Sequence, residues 1–159
     1  MAITSAICNS FKQEILVEGH NFTGSTDAFK IALYSSNSAV LSKSTTVWAV
    51  ASDPTADPTN TYEVTTTGSG YSGGGSALTN IDDTLDSDTA VCDFSNESWT
   101  SATFTARGLL LYNTTAITGF TTNRSILAIN FGGDKTVTSG TFTIEFPAAG
   151  ASTAIIQLA

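Results

Sequence analysis

Hydrophobic residues recur at every fourth position in the first part of the chain, a spacing that the later segments lack. The stripe, with Leu16 at its side, consists of Ile3, Ile7, Phe11 and Ile15. This spacing places side chains on one face of an amphipathic helix. We therefore predict a helix over residues 4–18, capped by Thr4 or Ser5 and ended by Gly19. The stripe requires an apolar partner, which is either the chain's own sheet or another subunit.

After Gly19 the pattern changes to the two-residue alternation of β-strands, separated by turn residues. Residues 29–34 predict a strand with one buried face, and Gly108 predicts a bend or bulge in a longer strand. Further predicted strands are 45–50, 62–66, 77–81, 90–94, 99–107, 109–112, 126–131, 141–146 and 154–158. Turns or loops are predicted at 53–60, 68–75, 132–134 and 139–140.

The resulting fold class is mainly β: a β-sandwich or barrel-like domain of about eight or more short strands with one N-terminal α-helix. We divide the chain into an N-terminal helical arm, residues 1–19, and a single β-rich domain, residues 20–159. Since 159 residues can bury a sizeable core, no disulfide or structural metal is required.

The charge balance argues against polyanionic partners. The net charge is -8, and the six Lys and Arg residues are scattered along the chain. Nucleic acid and anionic membranes require clustered basic residues, so we expect neither as a partner. The first residues lack the features of a signal peptide, and no apolar window is long enough to span a membrane. A surface rich in Ser and Thr but poor in charge suits a protein that associates with copies of itself or with a partner.

Two catalytic motifs occur in the glycine-dense segment, and we interpret both as products of composition. Residues 70–74 match G-x-S-x-G and residues 68–73 match G-x-G-x-x-G. Each motif requires a following helix, whereas here Gly74 and Gly75 follow. The single histidine, His20, lies upstream of Ser72 and is interpreted as a capping or surface residue. We therefore predict a broad turn, with Tyr71 available for a subunit contact.

The remaining chemistry-bearing residues also have structural interpretations. Cys8 and Cys92 match no metal-ligand spacing and are expected to be small buried hydrophobes. Trp48 and Trp99 are expected to be buried, although an exposed Trp can stack on sugars. The acidic residues do not match an EF-hand loop and predict a solvated loop or a face toward a basic partner; they are Asp82, Asp83, Asp86, Asp88, Asp93 and Glu97. We assign no catalytic, cofactor-binding or metal-binding residue and expect no enzyme activity.

The chain resembles small virion structural proteins of tailed bacteriophages over nearly its whole length. The resemblance is carried by residues 1–12, 29–34, 70–74, 103–113, 130–135 and 142–158. The chain departs from the pattern of these virion proteins in a longer segment at 53–61 and in the acidic segment at 82–97.

The resemblance implies a capsid decoration (cement) protein that is expected to form a homotrimer and to bind the major capsid protein in the virion after assembly in the host cytoplasm. The predicted contact elements are Ile3, Ile7, Phe11, Ile15 and Tyr71. One alternative is a tail or head–tail component, such as a tube, adaptor or fibre subunit. A second alternative is a receptor- or carbohydrate-binding module that uses exposed Trp or Tyr side chains.

Overall fold

The computed structural model describes residues 3–23, 26–35, 41–48, 62–116 and 118–159. It shows a mainly β, sandwich-like fold with one short N-terminal α-helix, which confirms the predicted fold class. Helix α1 is Asn9–Glu14 and continues into a 3-10 turn, Ile15–Val17. The strands are β1 Ala6–Ile7, β2 Phe29–Tyr34, β3 Ser76–Leu78, β4 Asn80–Asp86, β5 Thr89–Phe94, β6 Glu97–Asn113, β7 Arg124–Ile144 and β8 Ile156–Leu158.

The strands form two antiparallel sheets. The larger sheet has the order β1-β7-β6-β2-β3 and the smaller sheet has the order β4-β5-β8. The main core lies between them: Phe11 of α1, Phe29 of β2, Phe94 of β5 and Ile156 of β8 belong to one buried cluster. Burial of such large apolar side chains is the dominant stabilising contribution.

The central strands of the larger sheet are buried on both faces. Ala32 and Tyr34 of β2 lie on the face opposite the main core, in a second cluster with Leu41 and Leu110. The prediction of a single buried face for residues 29–34 was therefore wrong. The segment containing Leu41 covers the second face, and the alternation along one strand cannot reveal such a cover.

The predicted N-terminal helix is shorter than expected. Ile7 pairs with Leu127 in a short strand, and α-helix begins only at Asn9. The left-handed residue at the end is Glu18, with φ 58°, rather than Gly19. The spacing runs through a strand and a helix because Ile7 of β1 and Phe11 of α1 both pack into the main core, whereas Ile3 belongs to the second cluster. Leu16, expected beside the stripe, is 83% exposed.

Strands β6 and β7 form a long antiparallel ribbon, and two predicted turns lie inside β7 as bulges. Residues 131–134 of β7 face residue 107 of β6, and residues 138–139 face residue 103. Gly132 has φ 75° and Ser139 has φ 48°. Positive-φ residues serve turns and bulges equally, which explains why the turn prediction was wrong. The predicted irregularity at Gly108 is confirmed by a register shift between Ala106 and Gly108.

The acidic segment is a β-hairpin rather than a loop. Residues 80–86 form β4 and pair with β5 through a turn at Ser87 and Asp88. Of the candidate strands at 45–50 and 62–66, the described residues contain only isolated bridges at Val47 and Glu63. Residues 49–61, which include the predicted loop at 53–60, lie outside the described residues.

Candidate contact surface

The predicted contact residues lie mainly in the chain's own core. Ile3, Phe11 and Tyr71 are 2%, 1% and 3% exposed. Ile7 and Ile15 are partly buried and pack against the same cluster as Phe11. The chain's own sheet is therefore the partner of the N-terminal stripe. The contact of these residues with another subunit stays a prediction, and Ile7 and Ile15 are the two that reach the surface in part.

An exposed apolar row crosses the smaller sheet. Leu85 of β4 is opposite Ala90 of β5, and Ala90 is opposite Leu158 of β8. Directly paired residues of antiparallel strands project from the same face. Leu85 is 67% exposed and Leu158 is 50% exposed. We call Leu85, Ala90 and Leu158 the outer row; sequence reasoning did not single it out.

The outer row borders an apolar groove of about 380 Å³. The adjacent row on the same face contains Cys92 and Ile156, which belong to the main core. Ile15 and Phe22 line the groove from the N-terminal segment. The core thus covers the inner row of this sheet face and leaves the outer row open. A partner that fills the groove would extend the chain's own core.

One carboxylate lines the groove, that of the exposed Asp83. Asp86 pairs with Thr89 and therefore projects from the sheet face opposite Leu85, where it accepts a hydrogen bond from the Ala151 amide at 2.7 Å. Asp83 accepts a hydrogen bond from Asn80 at 2.9 Å. The described residues that line the groove include no Lys or Arg, so the groove is mainly apolar with a single negative group.

A buried polar cluster lies behind the groove wall. His20 Nε2 is 2.6 Å from Glu14 Oε2, and the Arg124 guanidinium lies 3.4 Å from the same carboxylate and donates to the Gly19 carbonyl. Asn113 Nδ2 donates to Asp27 Oδ2 at 2.6 Å and lies 3.1 Å from His20 Nδ1. His20 is buried, so its predicted role as a capping or surface residue was wrong.

This polar cluster positions one wall of the groove. Glu14 immediately precedes Ile15, and His20 is two residues before Phe22. The cluster therefore fixes the chain on both sides of the 3-10 turn Ile15–Val17. Phe22 is held further by stacking on Phe29, with ring centroids 4.7 Å apart. The shape of the groove therefore depends on buried hydrogen bonds as well as on apolar packing.

The glycine-dense segment is tied to a half-buried carboxylate, that of Glu63. Glu63 Oε1 accepts from the Tyr71 hydroxyl at 2.6 Å and from the Gly74 amide at 2.7 Å, and Trp48 Nε1 donates to Oε2 at 3.3 Å. Burial raises the pKa of Glu63, against the lowering effect of these donors. Strand β3 follows this segment instead of a helix, so the two catalytic motifs lack the structural context that they require.

We expect Tyr71→Phe to destabilise the protein by about 1–3 kcal/mol, because Tyr71 is buried and its hydroxyl has two hydrogen-bond partners. It donates to Glu63 and accepts from the Leu33 amide at 2.9 Å. Urea unfolding of Tyr71→Phe beside the partly exposed Tyr62→Phe checks this expectation. Equal midpoints for the two variants would contradict the structural role of the hydroxyl.

The cysteines and tryptophans lie largely in the interior. Cys8 and Cys92 are both free and buried, as expected, and burial raises the pKa of Cys8 to about 12. The Cys8 thiol is therefore protonated and unreactive near neutral pH. Trp99 is 7% exposed. Trp48 is half-buried and stacks on Tyr112, with ring centroids 5.4 Å apart. Neither indole offers a fully exposed platform for a sugar.

Among the described residues, no three or more His, Cys, Asp or Glu side chains are grouped to hold a metal ion. No helix in the same residues is both long and apolar enough to cross a membrane. Comparisons of this chain with protein-family models, with curated proteins and with solved structures found no match.

Proposed function

We propose that the chain is a bacteriophage virion structural protein, a capsid decoration (cement) protein that binds the assembled major capsid protein through the groove beside the outer row. The observation that carries the proposal is the exposed apolar row of Leu85, Ala90 and Leu158, which continues one face of the main core to the surface. A contiguous exposed apolar surface bordered by polar residues is typical of a protein-binding site.

The resemblance to virion structural proteins supports the same proposal. A protein that binds only the assembled shell stabilises it by mass action. Many copies on a symmetric lattice, each as a trimer in this proposal, would multiply a weak individual contact. The buried Trp99 and the half-buried Trp48 favour this function over a carbohydrate-binding module.

The structure favours point substitutions over truncation of the N-terminal segment as a test of this proposal. Removal of residues 1–18 would delete Phe11 from the main core and Glu14 from the buried polar cluster. Loss of binding by such a truncation would then report unfolding as readily as a lost contact. Point substitutions at exposed side chains test the contact without this ambiguity.

The decisive measurement is the copy number and position of the chain in purified particles, obtained by a quantitative protein gel and a low-resolution reconstruction. We expect hundreds of copies distributed over the shell, as a decoration protein on a capsid lattice requires. A few copies at one vertex would assign the protein to the tail or head–tail machinery. Absence from purified particles would refute a virion role altogether.

A further inference from the structure

We infer that the groove beside the outer row binds an apolar segment flanked by Lys or Arg on a different protein, rather than a second copy of this chain. The inference rests on the proposed function and specifies the chemistry of the partner surface. It follows from three observations: the position of the outer row, the charge at its border and the distribution of basic residues over the chain.

The outer row continues the inner face of the smaller sheet beyond the main core. On β5, Ala90 follows the alternation of Cys92 and Phe94, both of which are core residues. Leu85 and Leu158 flank Ala90 on the neighbouring strands and remain exposed. The groove therefore has the chemistry of an unfilled core position, which selects an apolar side chain from the partner.

The border of the groove selects a positive partner. Asp83 lines the groove, no basic residue is among the described lining residues, and the chain as a whole has a net charge of -8. An interface places opposite charges together around an apolar centre, since like charges in contact are costly. Lys or Arg beside the inserted apolar residue would meet this requirement.

A second copy of the chain is a poor partner for the groove, because it does not supply this positively charged surface. A two-fold contact through the groove would bring the Asp83 carboxylates of the two copies toward each other. A head-to-tail contact would require a basic cluster elsewhere on the chain. Arg124 is buried, and Arg107 lies 3.4 Å from Asp134. The other four basic residues lie on several elements: Lys12 on α1, Lys30 on β2, Lys43 beside the start of α1, and Lys135 on β7 opposite Ala106, next to the Arg107 that Asp134 offsets. Any trimer of this protein would then use another surface.

The test uses the full chain and capsid shells of the encoding phage that were purified without it. We expect Leu85→Ser and Leu158→Ser each to weaken binding to the shells by about tenfold or more, since each removes an exposed leucine from the contact. Ile81→Ser is the matched control, because Ile81 lies on the same strand β4, is 53% exposed and does not line the groove. Circular dichroism verifies that all three variants fold.

Charge is tested by the same binding assay at about 50 and about 300 mM NaCl, where screening of exposed charges differs strongly. We expect the wild-type protein to bind less tightly at high salt, and Asp83→Asn to show a smaller salt dependence. Glu145→Gln is the control, because Glu145 is exposed and lines a different groove.

Each remaining outcome has a distinct meaning. Wild-type binding by Leu85→Ser would refute the groove as the docking site and leave the capsid function intact. Binding that does not weaken with salt would exclude a basic partner surface. Failure of the wild-type chain to bind shells, with self-association that Leu85→Ser abolishes, would overturn both the partner inference and the proposed function. Failure of binding without self-association would likewise overturn both.

Discussion

Substitution of Gly75 by alanine is expected to lower the free energy of unfolding by more than about 4 kcal/mol, enough to unfold a marginally stable domain. Gly75 has φ +71°, and a Cβ atom there would lie 1.7 Å from the Ile31 carbonyl oxygen. The obstacle is backbone of β2, which cannot rotate away as a side chain can. Because Ser76 pairs with Ile31, relief of the overlap requires β3 to separate from β2.

Gly68→Ala provides a matched control for this prediction. Gly68 has φ +67°, nearly the same backbone conformation, but nothing lies within 4 Å of a Cβ atom built there. Left-handed backbone costs a non-glycine residue roughly 1–2 kcal/mol, so this variant should fold with a midpoint a few degrees lower. Thermal unfolding by circular dichroism compares the two variants. Similar midpoints for both variants would show that overlap of a Cβ atom at position 75 with the Ile31 carbonyl oxygen does not lower stability as expected.

The glycine-dense segment illustrates what sequence reasoning reached and where it ended. The cluster of glycines at 68–75 correctly excludes the helix that either catalytic motif would need. It does not distinguish Gly68, which faces open space, from Gly75, which touches β2. That difference depends on the pairing of β2 with β3, a long-range contact that local composition does not encode.

The fold class could be predicted because strand alternation is local, and the bounds of β2 agree with the prediction. The details failed where one local signal has two structural uses. Gly132 and Ser139 supply positive φ for bulges in β7 instead of hairpin turns. Ile3 and Ile7 satisfy helical spacing while Ile7 pairs with β7. In each case the partner strand, distant in sequence, decides the outcome.

The candidate contact surface was beyond sequence reasoning for the same reason. Leu85 and Leu158 are neighbours only across β5, and each alone has the appearance of an ordinary strand residue. His20 lies next to the predicted helix end, which suggested a capping or surface residue. Its burial results from Arg124 and Asn113, far along the chain, whose polar side chains give no signal of a shared interior.

Acidification below pH 6.5 is expected to destabilise the wild-type protein through His20, the single histidine of the chain. The orientation of the Asn113 side-chain amide shows that His20 Nδ1 is a hydrogen-bond acceptor. Its Oδ1 accepts from the Thr115 amide at 2.9 Å, so Nδ2 must face Asp27 and His20. His20 Nδ1 therefore accepts from Asn113, while Nε2–H donates to Glu14.

A proton on Nδ1 would set an N–H group against the Asn113 amide and add a charge near Arg124. Burial, the largest cause, lowers the pKa of His20, and the charge of Arg124 acts in the same direction. The hydrogen bond to Glu14 and the charges of Glu14 and Asp27 oppose this lowering without reversing it. The unfolded chain binds the proton more readily than the folded protein. The contribution of neutral His20 to stability is therefore fully present above the pKa of histidine in the unfolded chain, near 6.5, and is lost as the pH falls below it.

Urea unfolding at several pH values between about 5 and 8 measures this linkage, whose slope cannot exceed about 1.4 kcal/mol per pH unit for one proton. His20→Gln is expected to be less stable than the wild-type protein at pH 8. Its free energy of unfolding should lack the part of the pH dependence that His20 contributes. Glu63→Gln is the second control, because the raised pKa of Glu63 has the opposite sign: its contribution is present at low pH and lost as the pH rises through the folded value. The stability of Glu63→Gln should therefore fall more steeply on acidification than that of the wild-type protein. An unchanged slope in His20→Gln would show that the buried polar cluster accepts a proton on His20 without cost.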